Sequence, residues 1–153
     1  MAARVTMTDL EELNESECWD FLAHVTIGRL GLHFGAIPRI VPINFTVFDK
    51  CIVVCTAIGG AVTHALRDAV VAFQVDDFHL NKPKGWSVVA VGPSARVTDL
   101  RTLHAMDGLP TGPWARGQRQ CVTQIEPQLI SGRRFVQRIP TMRMARVGVG
   151  SPS

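Results

Sequence analysis

The sequence predicts a small, mainly β domain: a barrel of about six antiparallel strands with two or three short helices. Three observations predict this class. Short apolar runs with period-two alternation recur along the chain, tight turns separate them, and few connections are long enough to be the crossovers of a parallel sheet. At 153 residues the chain has room for one ordinary domain and not for two. We therefore expect a single domain over residues 1–153.

Composition excludes several classes of protein. Hydrophobic residues make up 46% and charged residues 19%, which excludes a disordered chain. No apolar run approaches the roughly 20 residues that span a bilayer, and no secretory leader is visible. No cysteine pair has C-x-x-C spacing, and Cys51 and Cys55, on one predicted strand, would lie about 13 Å apart, too far for a disulfide. We expect a cytoplasmic protein with reduced cysteines and no membrane segment.

Charge is distributed unevenly along the chain. Residues 1–20 hold six acidic residues and one basic residue, whereas five arginines and no acidic residue follow Glu126. The two ends can match each other within the chain or across a dimer, or the arginines can meet a phosphate-bearing ligand. A nucleic-acid surface is disfavoured, because such a surface needs a denser basic face with aromatic residues, and this tail has only Phe135.

The first predicted element is a helix over residues 8–24. Thr8 and Glu11 have the spacing of a capping box, and apolar residues between Leu10 and Leu22 form a rough stripe. Ser16 is a second possible cap, which would begin a shorter helix.

Three strands are predicted next, as a meander. Residues 26–34 alternate between two faces, and residues 51–56 form a β-branched apolar run after a short turn. The strand between them, residues 39–48, contains Pro42, which implies a sheet edge, a bulge or a gap in the ladder.

The second half of the chain continues in the same style. The spacing from Val62 to Ala69 predicts a short helix, and Asp99 can cap another that runs through Met106. The remaining strands are predicted over three segments: residues 70–76, 86–97 (bent at Gly92-Pro93) and 121–130. The barrel then covers about residues 26–134, and the tail over residues 135–153 has no clear pattern.

One connection has features of an anion-binding site. The third strand runs through Thr56 into Gly59-Gly60 and then into a helix. Glycines before a helix leave backbone N–H groups accessible, and the helix dipole favours negative charge there. The same arrangement also occurs as a plain connection without a ligand.

Polar side chains also interrupt two apolar strands. Arg39 and Asn44 lie in the second strand, and Trp86-Ser87 opens the fifth. Polar groups in a core need partners, and a bound polar ligand is one possibility, whereas exposure to solvent is the other. The histidine spacings predict no metal site, and neither a P-loop nor a dinucleotide-binding glycine motif is present.

Eight short motifs follow one another between Glu17 and Arg134: E-C-W, I-G-R-L-G, P-R-I-V-P-I-N-F, T-A-I-G-G, V-A-F-Q-V-D, G-W-S-V-V-A-V-G, P-W-x-x-G and I-S-G-R-R. In this order they resemble the pyridoxamine 5′-phosphate oxidase-like superfamily of FMN-binding split barrels, in its short, nitroimidazole-resistance-type branch. The resemblance implies a six-stranded antiparallel split β-barrel that forms a homodimer. It also implies FMN bound at the subunit interface and a small-molecule substrate.

The same resemblance implies which positions line the flavin, and it names no catalytic acid or base. These positions are Arg39 and Asn44 at the ring edge; Cys55, Thr56, Gly59 and Gly60 around the ribityl chain and phosphate; Trp86 and Ser87 beside the ring; and Arg133, which can reach the cofactor from the same or the partner subunit.

The phosphate segment departs from the family pattern. Many relatives have G-S-K where this chain has Gly59-Gly60-Ala61, so a serine hydroxyl and a lysine charge are missing here. Arg67 or an arginine of the partner subunit can compensate. Three functions remain open: an oxidoreductase that uses FMN or the deazaflavin F420, a ligand-binding dimer of the same fold without the cofactor, and an adaptor that uses the arginine-rich tail.

Overall fold

The computed structural model describes residues 7–79, 81–82, 84–107, 109 and 120–138. This part of the chain is mainly β, with nine strands in antiparallel pairs and three short helices, so the predicted class is confirmed and the predicted count of six strands is wrong. The elements are β1 (Met7–Leu13), α1 (Glu15–Leu22), β2 (Ile27–Phe34), β3 (Ile37–Asn44), β4 (Thr46–Phe48), β5 (Cys51–Ala57), α2 (Ala61–Ala65), β6 (Val70–His79), β7 (Lys84–Arg96), α3 (Leu100–Ala105), β8 (Gln120–Ile125) and β9 (Leu129–Arg138).

Two of the three additional strands arise because predicted strands divide. The segment predicted over residues 39–48 breaks at Phe45, whose ring is buried in the core and whose N–H donates to the Thr26 carbonyl at 3.0 Å. The segment predicted over residues 121–130 breaks at Pro127, between β8 and β9. Pro42 is tolerated inside β3 because β3 is an edge strand, paired with β2 alone among the described strands.

The predicted helix over residues 8–24 is wrong at its start, where the third additional strand is found. Residues 7–13 form β1, and α1 begins only after Asn14. Asn14 and Glu17 form the capping box, with the two reciprocal hydrogen bonds each 2.9 Å long. β1 pairs with β9 along its whole length, and this pairing outweighs the local preference for helix.

The C-terminal boundary also differs from the prediction. Residues 135–138, expected to belong to an irregular tail, complete β9, so the sheet extends beyond residue 134. The remainder of that tail, residues 139–153, and most of the predicted loop over residues 108–120 lie outside the described residues.

The sheet follows the strand order β3-β2-β6-β7-β8-β5-β4, and β7 joins its two halves. One edge of β7 pairs with β6, and its other edge pairs first with β9 over residues 86–91 and then with β8 over residues 94–96. The change of partner follows Gly92-Pro93, where the sequence predicts a bend. The path is open, with β3 at one end and β4 at the other.

The sheet curls around one main core. Buried side chains of several strands belong to a single cluster: Leu30 and Leu32 of β2, Ile52 and Val54 of β5, Val71, Phe73 and Val75 of β6, and Val88 and Ala90 of β7. Phe45 packs edge-on against Phe73, with ring centroids 4.7 Å apart. Curling brings the two ends of the path together, because β4 begins two residues after β3 ends.

The charged ends of the chain match each other within one subunit. Arg134 of β9 forms ion pairs with Glu11 at 3.2 Å and with Glu17 at 3.4 Å. The intramolecular match between the acidic N-terminal region and the C-terminal arginines is therefore confirmed for Arg134.

The cysteines are free thiols, as the sequence predicts. Burial, and then the nearby carboxylates of Glu17 and Glu15, raise the pKa of the Cys18 thiol. Burial likewise raises the pKa of Cys51, which keeps both groups protonated at neutral pH. Among the described residues, every helix is too short or too polar to cross a membrane.

We predict that Gly28→Ala lowers the free energy of unfolding by about 1–3 kcal/mol, because its Cβ would overpack the core. A Cβ at Gly28 would lie 2.2 Å from Cζ of Phe73, and the Phe45 ring stands against Phe73. Urea unfolding measures the change. Gly31→Ala on the same strand is the matched control, since its Cβ would lie 3.5 Å from the nearest atom, Cβ of Ala72. If Gly28→Ala and Gly31→Ala lower the free energy of unfolding equally, the close packing of Gly28 against Phe73 is not the cause.

We also predict that Arg134→Met lowers the free energy of unfolding by about 0.5–1 kcal/mol at low salt, since the ion pairs are partly exposed. High salt screens such pairs, so the difference from the parent should shrink in urea unfolding at high sodium chloride. Arg133→Met, at an exposed neighbouring position, is the control and should change little. A loss that does not depend on salt would assign Arg134 a packing role.

Candidate functional site

A cleft of about 540 Å³ lies between the end of β3 and the end of β5. We call it the main cleft. Its lining residues come from the start of β2, the end of β3, the end of β5, the start of α2 and the start of β8. They are Ile27, Val41, Pro42, Ile43, Asn44, Cys55, Thr56, Ala57, Gly60, Ala61, Val62, Thr63 and Gln120. Four residues that the resemblance implies, Asn44, Cys55, Thr56 and Gly60, come together here from two separate segments.

The chain enters this cleft through a turn that requires glycine. Gly59 has φ of +77°, a left-handed conformation that side chains with a Cβ adopt rarely. Gly60 then caps α2 in an extended conformation, without a side-chain hydrogen bond to the helix. Gly59 therefore shapes the connection and does not itself line the cleft.

A short chain of hydrogen bonds, the threonine clasp, closes this turn. The Thr63 hydroxyl donates to the Ala57 carbonyl at 2.6 Å, and the Thr56 and Thr63 hydroxyl oxygens are 2.5 Å apart. Because Thr63 has one hydroxyl proton and gives it to Ala57, Thr56 must be the donor in the second bond. The Gly60 N–H also donates to the Ala57 carbonyl, at 3.0 Å. The Thr56 hydroxyl and the Gly60 N–H, two donors of the predicted phosphate segment, are thus used within the protein.

The lining residues differ in how well they suit the two parts of a flavin. Apolar side chains from Ile27 to Val62 line most of the walls, and the Asn44 amide can both donate and accept, which suits a flat ring with a polar edge. The phosphate group has fewer partners: the described lining residues carry no charge, and α2, which begins at the cleft, is only five residues long. The described residues therefore fit the ring and not the phosphate.

A second cleft of about 450 Å³ holds Trp86. Phe21 of α1 packs on the indole, with ring centroids 4.6 Å apart, and acidic residues surround the pair. The acidic residues lining this cleft are Glu17, Asp20 and Asp77. Val25 lines it and Ile27 lines the main cleft, so these two lining residues are within about 7 Å of each other along the chain.

The structure does not bring the other implied residues into the main cleft. Arg39 is exposed on β3, and its guanidinium lies 4.6 Å from the centre of the Phe34 ring, a cation–π contact. Ser87 and the exposed Arg133 face each other in the register of β7 and β9. Neither lines the two clefts described above.

Sequence reasoning missed Thr63 and Gln120. Thr63 carried a usable signal, since a threonine three residues after a helix-capping glycine can return a hydrogen bond to the preceding turn. Gln120 begins β8, and its place in the cleft depends on the pairing of β8 with β5, in which Gln120 lies opposite Ala57. Local sequence holds no signal for that pairing.

Comparison with known proteins gives consistent results. A family profile described as pyridoxamine 5′-phosphate oxidase matches residues 14–134. The uncharacterized protein Rv0080 of Mycobacterium tuberculosis is 32% identical over 133 residues, covering 84% of this chain and 87% of that protein. The solved structure of the FAD binding protein from Mycobacterium smegmatis is 31% identical, with a TM-score of 0.73, covering 82% of this chain and all of that chain.

A more distant structure shares the fold. It is a protein of Bacteroides thetaiotaomicron, provisionally described as a 5-nitroimidazole antibiotic resistance protein. It is 14% identical with a TM-score of 0.67, covering 84% of this chain and 89% of that one.

We predict that Thr63→Val lowers the free energy of unfolding by about 1 kcal/mol, because the substitution removes the clasp and leaves the Thr56 hydroxyl without its partner. In a double-mutant cycle with Thr56→Val, the double variant should lose less free energy of unfolding than the two single variants lose together, because the two hydroxyls share one bond. Thr98→Val, at an exposed position between β7 and α3, is the control. Additive effects of the two cleft substitutions would show that the clasp is not formed in solution.

Proposed function

The chain belongs to the pyridoxamine 5′-phosphate oxidase family, and we propose that it is a flavin-binding oxidoreductase that holds the flavin ring in the main cleft and acts on a small molecule. The observation that carries this proposal is the cleft itself. Its volume of about 540 Å³ lies in the range of small-molecule and cofactor sites, and its walls are mostly apolar.

Each lining group has a definite task in this proposal. The Asn44 amide hydrogen-bonds the polar edge of the ring, and the aliphatic side chains of Val41, Ile43 and Val62 exclude water from its faces. A bound flavin supplies the hydride or electron transfer, and the protein supplies orientation and electrostatics. No described residue is assigned as an acid or a base.

The identity of the flavin rests on two sources of support that point to different nucleotides. The family resemblance implies FMN, whereas the relative from Mycobacterium smegmatis is described as an FAD binding protein. The two cofactors share the ring that the main cleft fits, so the proposal commits to the ring and a titration decides the nucleotide.

A second copy of the chain completes the site in this proposal. Ile27, which lines the main cleft, is 57% exposed, and Ile40 on the adjacent edge strand β3 is 74% exposed. Ile27 lies opposite Asn44 in the register of β2 and β3, and Ile40 is four residues from Asn44, so Ile27 and Ile40 are on the same face of the sheet. Apolar side chains grouped beside a cleft mark an interaction surface, and a homodimer that covers β3 would also wall the flavin.

The test is a cofactor screen on the purified full-length chain. We expect a yellow dimer, or a colourless one that takes up FMN or FAD in equilibrium dialysis, with F420 titrated in parallel. Exclusive uptake of F420 would make the protein a deazaflavin reductase. If none of the three binds, the oxidoreductase proposal is wrong and a dimer that binds a different ligand takes its place.

A cleft-blocking variant locates the bound flavin. Ala57→Trp places an indole in the main cleft and should abolish uptake without changing the far-ultraviolet circular dichroism spectrum. Ala95→Trp, at an exposed position of β7 that lines neither cleft, is the matched control and should bind as the parent does. Unchanged binding to Ala57→Trp would place the flavin elsewhere.

A further inference from the structure

We propose that the main cleft selects its ligand by the ring and not by the phosphate, so that the chain binds riboflavin about as tightly as FMN. This inference rests on the proposed flavin function. It assigns position 61, which is alanine in this chain, as the residue that sets this preference.

The charge of the main cleft does not favour a phosphate group. A phosphate monoester carries nearly two negative charges at neutral pH, and sites that select it offer a cation or several strong donors. Every described residue that lines the main cleft is uncharged. Moving the phosphate from water to this surface therefore gains no Coulomb attraction from those residues.

The hydrogen-bond donors at the turn into α2 are already engaged within the protein. The threonine clasp directs the Thr63 proton to the Ala57 carbonyl and the Thr56 proton to Thr63, so lone pairs of the Thr56 oxygen remain for a ligand. The Gly60 N–H is held by the same carbonyl. A phosphate placed at this turn must break the clasp before either hydroxyl can donate to it.

The position of Ala61 allows a lysine to be introduced beside the main cleft. This residue is exposed, is the first residue of α2 and lines the main cleft. A lysine there can reach the cleft without displacing core side chains. One charge-assisted hydrogen bond to phosphate strengthens binding about 10- to 100-fold.

The experiment compares riboflavin and FMN by equilibrium dialysis against the full chain and against Ala61→Lys, at low and high salt. For the parent we expect dissociation constants within about fivefold of each other and little dependence on salt. Ala61→Lys should tighten FMN about 10-fold or more and leave riboflavin unchanged. His64→Lys is the control, because it adds a charge to the same helix at an exposed position that does not line the cleft.

The outcomes separate this inference from the proposed function. If the parent binds FMN at least about 10-fold more tightly than riboflavin and salt weakens only FMN, a cation holds the phosphate and the inference is wrong, while the flavin function stands. An equal gain from Ala61→Lys and His64→Lys would also overturn the assignment of position 61. If neither flavin binds to any variant, the proposed function itself is wrong.

Discussion

The pairing of β7 with three other strands is the constraint on which the rest of the structure depends. The first part of β7 is held between β6 and β9, and its last residues pair with β8, so the two halves of the sheet share one continuous strand. A Cβ at Gly92 would lie 2.0 Å from the Glu126 carbonyl oxygen, which shows how closely the chain passes at the change of partner. From this junction both arms of the sheet curl around one core, and β3 and β5 come to line the same cleft although they lie far apart in the strand order.

The chemistry of the main cleft follows from that arrangement. The end of β3 contributes Val41 and Ile43, which pack against the core, and the turn into α2 satisfies its own polar groups through the threonine clasp. A site built in this way offers shape and an amide but little charge. Charged groups lie elsewhere: Arg39 over Phe34, Arg134 with Glu11 and Glu17, and acidic side chains around Trp86. Among the described residues, the main cleft therefore offers an anion no charged partner.

The sequence predicted those features that depend on neighbours along the chain. β2, β5 and β6 were predictable because alternation and tight turns are local signals, and Asp99 caps α3 as expected because capping spans three residues. β1 was not predictable, because its strand conformation depends on β9, and Glu11 and Arg134 are separated by 123 positions. The motif resemblance named Asn44 and Thr56, and the structure brings both to the main cleft. It could not show that the Thr56 proton is directed to Thr63, since that depends on how the turn seats α2 against β5.

The central proposal, that the described residues of the main cleft recognise the ring and give the phosphate no cationic partner, is tested most directly by the ³¹P resonance of protein-bound FMN during a pH titration. The second pKa of a phosphate monoester is about 6, and a nearby cation lowers it by stabilising the dianion. The account predicts that the bound phosphate titrates with the same pKa as free FMN. A bound phosphate that remains a dianion well below that pH would contradict the account, because it would require a positive charge or several hydrogen-bond donors beside it.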